Sequence, residues 1–169
     1  PLSGIIIRAA ALISAGFMAA GFLTGYGPAL ANEVANAIAA QVQASDPSVK
    51  ISPEQRAALA STFANLIPYA MPAYWLMVLT GNFYAALHVA RKSGLLRRAR
   101  DFWPSALRLP KYALAALAVT LALSFTSGGL GDLAAVPAGA LAIAFCAVGL
   151  ALLHGPTLGK PWRGPALGA

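Results

Sequence analysis

The stretch RKSGLLRRARDFWPSALRLPK, residues 91–111, holds seven of the twelve Lys and Arg residues of the chain. Apolar sequence flanks it on both sides. Between Arg56 and Arg91 there is no Asp, Glu, Lys or Arg, and between Lys111 and Lys160 the only such residue is Asp132. A basic segment bracketed by long uncharged runs has the signature of a loop retained on the cytoplasmic side of a bacterial-type inner membrane. The rest of the topology follows from that anchor.

Composition agrees with a membrane class. Of 169 residues, 59% are hydrophobic and only 10% charged, where a soluble domain carries about a quarter charged residues. The net charge of +7 does not imply nucleic acid, because the cations sit beside apolar runs rather than across a solvated face. No nucleic-acid partner is expected. The lone cysteine, Cys146, has neither a disulfide partner nor metal-ligand company, and is expected to fill a buried small apolar position.

Working outward to the N-terminal side, residues 5–26 read IIIRAAALISAGFMAAGFLTGY, an apolar run long enough to cross a bilayer at ~20 residues per span, with Arg8 placed to snorkel. Small residues recur four apart at Ala11, Ala15 and Ala19, at Gly16 and Ala20, and at Gly21 and Gly25. That spacing lines one helix face and lets a second backbone approach, either within the same bundle or on another subunit. Ala11, Ala15, Ala19, Gly21 and Gly25 are therefore the candidate packing face. The run also fits a signal peptide ending at Ala29-Leu30-Ala31; an uncleaved first span is the reading adopted. The start at Pro1 fits either removal of an initiator methionine or a longer protein with earlier spans.

Residues 27–68 are polar, carry Glu33, Asp46, Lys50, Glu54 and Arg56, and are interrupted at Pro28, Pro47 and Pro53. Val34, Ile38 and Val42 give one weak helical stripe. Ser52-Pro53-Glu54-Gln55 is a stronger signal: a capping serine, a proline at the first helical position and a glutamine closing a capping box. Leu59, Phe63, Leu66 and Ile67 supply an apolar face to the helix that begins there. The pair is expected to lie on the outer membrane surface, or to form a lid or partner-binding hairpin.

A second span is expected over residues 69–90, with Tyr69, Tyr74 and Trp75 at its interfacial start and a kink or break at Pro68 and Pro72. Asn82 is the strongly polar side chain near mid-membrane, and such groups face bundle interiors or cavities. With Thr80 and Tyr84 it forms the candidate solute-binding set. Its ordinary alternative is an interhelical hydrogen bond worth about 0.6–2 kcal/mol. A third span is expected over residues 112–131 and a fourth over residues 133–154. Glycines at residues 128–131 form the turn between them, Pro137 lies in the first turn of the last span, and Gly155-Pro156 ends it. The tail is residues 155–169.

With the basic loop inside, Arg8, Arg91, Lys92, Arg97, Arg98, Arg100, Arg108, Lys111, Lys160 and Arg163 are cytoplasmic, and only Lys50 and Arg56 are outside. Both termini are then cytoplasmic. The expectation is an all-α polytopic membrane helix bundle: four transmembrane helices, with an outer amphipathic helical excursion between the first and second.

No catalytic constellation accompanies this fold. H-E-x-x-H, G-x-S-x-G, C-x-x-C, G-x-x-x-x-G-K and G-x-G-x-x-G are all absent from the sequence, leaving no handle for metal, nucleophile or phosphate-loop chemistry. His88 and His154 fall at the inner ends of expected spans, with Asp101 the only acid on that side, and two histidines fall short of a metal site's usual three or four ligands. Neither an enzyme nor a cofactor is expected.

Three features occur together in an order that resembles the YybS-like family of predicted multipass bacterial membrane proteins. They are the proline-bearing span IPYAMPAYWLMVLTGNFYAALHVARKSG, the basic loop closing on Leu109-Pro110-Lys111-Tyr112, and a last span ending Gly149-Leu150-Ala151-Leu152-Leu153-His154. The likeness covers residues 5–154. Members of that family look similar to the substrate-capturing subunits of energy-coupling-factor vitamin transporters. The resemblance implies a membrane-embedded role in binding or transporting a small-molecule solute, with Asn82 the position carried over. Members usually have further spans before the equivalent of Ile5, and Val148 stands where a polar residue is expected. The competing expectation is a structural or accessory subunit whose partners, other membrane subunits, dock on the first span or the outer hairpin within the lipid bilayer.

Overall fold

The computed structural model describes residues 2–96, 102–157 and 160. Arg97, Arg98, Arg100, Asp101 and Arg163, and the side chain of His154, lie outside the described residues. Within them the chain is all helical: α1 (Leu2–Thr24), α2 (Tyr26–Ser45), α3 (Pro53–Lys92), α4 (Trp103–Ala106), α5 (Tyr112–Ser124) and α6 (Gly129–Thr157).

Helix α6 is the centre of the bundle and touches α1, α3, α4 and α5. Its first half is built of small residues, and Ala134, Ala135, Val136, Ala138 and Ala140 are all buried. Burial on several sides of one helix requires neighbours close in more than one direction, which only small side chains permit. Gly139 shows the limit of this. A Cβ there would fall on the backbone carbonyl of Tyr69 and lie 2.8 Å from Tyr69 Cα, so α3 and α6 meet backbone to backbone. Helix α1 packs through Ile6, Ala10 and Ser14, spaced four apart and all buried.

The two ends of the bundle differ. At one end Ile6 and Ala10 from the start of α1 pack with Ala151 near the end of α6 and with Leu107 and Leu109 from the basic loop. The start of α1, the end of α6 and residues 107–109 thus share an end, and Arg8 and Arg108 lie beside those packed residues in sequence. The end of α1, the start of α2, the middle of α3 and the start of α6 meet at the other.

Between α1 and α2 the chain turns at Gly25, which is left-handed (φ 57°, ψ 27°). Gly25, assigned by spacing to a packing face, stands at this turn, and a Cβ there would meet nothing within 4 Å. Helix α2 lays Ala31, Ala35 and Ala39, all buried, against the first half of α3, with Val34, Ile38 and Val42 partly buried beside them. Its opposite face, with Asn32, Glu33, Asn36 and Gln41, is exposed and polar.

The capping box at the start of α3 is present: Gln55 N–H donates to Ser52 Oγ at 3.3 Å, and Ser52 N–H donates to Gln55 Oε1 at 2.8 Å. Two carboxylates flank the hairpin turn. Asp46 accepts from the Ser48 hydroxyl at 2.6 Å and from the Ser48 amide at 2.9 Å; these bonds hold its pKa below the ordinary carboxylate value, the hydroxyl contributing most. Glu54 accepts from the Ser52 hydroxyl at 2.6 Å and is lowered for the same reason.

Several expectations are corrected. Helix α3 is continuous over 40 residues, with Pro68 and Pro72 inside it, so its first half is not a separate helix broken from the second. Helix α5 stops at Ser124 rather than reaching Gly131. The Ser124 and Thr126 hydroxyls bond back to the Leu121 and Leu123 carbonyls at 2.6 and 2.7 Å, and Gly128 turns the chain at φ +83°. The last helix begins four residues before Leu133, which puts Pro137 in its interior, and it runs through Gly155-Pro156 to Thr157. Cys146 is exposed, not buried. Among the described residues two helices are long and apolar enough to cross a membrane, over Ser3–Gly21 and Gly129–Leu153; α5 is apolar but shorter.

Candidate functional site

The end of the bundle away from residues 107–109 carries a cleft of about 390 Å³ bounded by four helices. Helix α1 contributes Phe17, Met18 and Gly21, and the start of α2 contributes Gly27 and Pro28. From α3 come Ala64, Asn65, Ile67, Pro68 and Pro72, and from α6 Gly129, Asp132, Leu133 and Val136. The volume lies within the range of about 300–1,000 Å³ typical of small-molecule sites, which pair a mostly apolar lining with a few polar groups.

Glycine and proline create this space. Gly21, Gly27 and Gly129 have nothing within 4 Å of where a Cβ would sit, so the missing side chains leave room rather than permitting close packing. The prolines act on the backbone. A helical carbonyl accepts from the amide four residues on, and proline has no amide hydrogen. Ala64 precedes Pro68 by four, Pro68 precedes Pro72 by four, and Leu133 precedes Pro137 by four. Ala64, Pro68 and Leu133, each four residues before a helical proline, all line the cleft; Leu152, four before Pro156 in the last turn of α6, does not.

Asp132 is the only acid between Lys111 and Lys160 and sits in the first turn of α6, where the helix dipole favours a negative charge. Its backbone N–H and that of Gly131 both point back to the Gly128 carbonyl, at 3.4 and 2.9 Å. Among the described lining residues there is no Lys, Arg or His. The polar side chains on the wall are Asp132 and Asn65, both exposed.

The residues singled out by sequence lie elsewhere. Asn82 and Tyr84 are exposed and Thr80 is half-buried, with the Thr80 hydroxyl donating to the Leu76 carbonyl at 2.7 Å. None of the three lines the cleft, whose last residue on α3 is Pro72, ten positions before Asn82 and so about 15 Å along the axis at 1.5 Å per residue. Thr80 satisfies its hydroxyl within its own helix, and Asn82 is exposed. The signal that marks the cleft is the spacing of Ala64, Pro68 and Pro72, which places two prolines on one helical face.

On α1, Ala11, Ala15 and Ala19 are exposed, one position around the helix from the buried Ile6–Ala10–Ser14 stripe. Gly21 joins the cleft wall. His88 is exposed. No group of three His, Cys, Asp or Glu side chains suited to a metal ion occurs among the described residues. Compared with protein-family models, curated proteins and solved structures, the chain matches none, so the cleft is interpreted from its own geometry.

Proposed function

We propose that the chain is a multipass inner-membrane subunit that binds a small solute in the cleft at the outer end of a four-span bundle. The cleft carries this reading: a small-molecule-sized space, mostly apolar, bounded by four helices and furnished with few polar groups. In this arrangement α1, the second half of α3, α5 and α6 cross the bilayer. The 13 residues of α5 reach about 20 Å, and local thinning or flanking turns accommodate so short a span. Arg8, Arg91, Lys92, Arg108 and Lys111 then lie on the cytoplasmic side, and Lys50 and Arg56 lie outside with the α2–α3 hairpin, as the charge bias demands. Large exposed apolar side chains such as Leu12, Leu114, Val119 and Leu152 suit contact with lipid tails.

Small solutes screened by thermal stabilisation of the purified chain, wild type against Gly21→Leu, test this. The leucine enters open space at a helical position and fills the cleft without disturbing the fold. A solute that stabilises the wild type and not the variant is expected; a broad screen yielding none refutes the reading.

A second reading has its own observation. The exposed Ala11, Ala15 and Ala19 leave a small-residue face on α1 that the chain's own packing does not use, which suits an accessory subunit docking another transmembrane helix. Purification in mild detergent with mass measurement separates the two: a stoichiometric membrane partner supports this reading, and a lone chain counts against it.

A further inference from the structure

We propose that the cleft selects solutes bearing an ammonium or another strong hydrogen-bond donor on an apolar body, and rejects anions. This rests on the solute-binding reading of the same cleft and specifies its ligand class.

Apart from the Asn65 amide, the polar features of the wall are acceptors. Asp132 contributes a carboxylate. Ala64, Pro68 and Leu133 are lining residues whose carbonyls lose their helical donors to Pro68, Pro72 and Pro137. These three prolines lie on two helices, yet the carbonyls they release belong to lining residues of one cleft. A carbonyl deprived of its amide at the edge of an apolar environment needs a donor from elsewhere. A solute ammonium offers three.

Two features favour anions, the uncharged Asn65 amide and the start of α6, with about half a positive charge. Asp132 in that same first turn carries a full negative charge and outweighs it. With no cation among the described lining residues, a carboxylate or phosphate solute would face Asp132 and the carbonyls with no counter-charge. Phe17 and Met18 on the opposite wall suit an aromatic or aliphatic body, sulfur and aromatic contacts being favourable.

Three probes sharing a phenyl body decide the matter on the full chain in nanodiscs of uncharged lipid: 2-phenylethylamine, 2-phenylethanol and 3-phenylpropionate, each radiolabelled and measured by equilibrium dialysis. Cleft-specific binding is the part lost in Gly21→Leu. The amine is expected to bind saturably and the propionate not at all. Asp132→Asn is expected to weaken the amine about tenfold, the lower end for a charge-assisted bond because the site opens to water, and to weaken the uncharged alcohol by less. If the propionate binds as tightly as the amine, or Asp132→Asn leaves the amine unaffected while Gly21→Leu still abolishes binding, the preference for donors is wrong and the cleft stands. If none of the three probes distinguishes wild type from Gly21→Leu, both the preference and the solute-binding reading fall.

Discussion

Replacing Gly139 with alanine isolates the contact that holds α3 against α6. The added Cβ would fall on the Tyr69 carbonyl and lie 2.8 Å from Tyr69 Cα. Both are backbone atoms of a helix and cannot swing aside as a side-chain tip would. The two helices must therefore separate, by roughly 1 Å to restore ordinary contact, since a radial gap of 0.5–1 Å already forfeits a quarter to a half of each dispersion contact. The side chains that lose neighbours are the best buried in the bundle, among them Ala140 at 0% exposure and Leu76 at 1%. Overpacking of this kind costs about 1–3 kcal/mol, and the better helix propensity of alanine returns up to ~1 kcal/mol. A net loss of about 2 kcal/mol at the upper end corresponds to roughly 4–8 °C in Tm for a chain of this size. Gly149→Ala is the matched control, because its Cβ meets nothing within 4 Å, and it is expected to hold or raise Tm. Thermal unfolding of both variants, followed by circular dichroism in the same nanodiscs, provides the comparison. Equal Tm values for the two variants would refute the close backbone approach of α3 and α6.

Further outcomes follow from other parts of the structure. Ser52→Ala removes the capping box and should cost the hairpin about 1 kcal/mol, seen as faster hydrogen exchange over residues 53–57 with the rest of the chain unchanged. Asp46 and Glu54 are held below the ordinary carboxylate range by serine hydroxyls. Their contribution is therefore complete above that range and disappears as pH falls through the lowered values; limited proteolysis at acid pH should cut within residues 46–52 earlier in wild type than neutral-pH stability suggests, and Asp46→Asn should flatten the dependence. Pro68→Ala restores an amide to the Ala64 carbonyl and should raise Tm while weakening binding of 2-phenylethylamine; a rise in both would separate the carbonyls from ligand recognition. In a Cys146→Ser background, Ser48→Cys should react with impermeant maleimide from outside intact cells and Ser93→Cys only after permeabilisation; the reverse pattern would invert the four-span topology.

Local signals in the sequence translated directly into structure. Ser52-Pro53-Glu54-Gln55 specifies a helix start by chemistry contained in four residues, and the structure carries that start. Val34, Ile38 and Val42 mark the side of α2 turned to α3, although alanines one position away do the closest packing. The ends of α5 and α6 were misjudged because glycine and proline have opposite meanings in different surroundings. Gly129 and Gly131 read as a turn and belong to a helix, while Pro156 reads as a stop and is carried within the last turn of α6. The cleft was illegible for a different reason. Its lining joins Asn65, Pro68 and Pro72 of α3 to Asp132 and Leu133 of α6, residues distant in sequence that meet only where α3 lies beside α6. Asn82 stood out because polarity is visible in one residue, whereas the absence of an amide is visible only in relation to a carbonyl four positions earlier.

The uninterrupted length of α3 has a mechanical consequence. Forty residues at 1.5 Å each make a rod of about 60 Å, twice the ~30 Å hydrocarbon layer of a bilayer. A displacement of its first half is carried along one axis toward Arg91 and Lys92 at its far end. The two places where that rod lacks an internal strut, opposite Pro68 and Pro72, both border the cleft. Bending concentrates where struts are missing, so flexing the rod deforms the chamber walls before it shifts either tip.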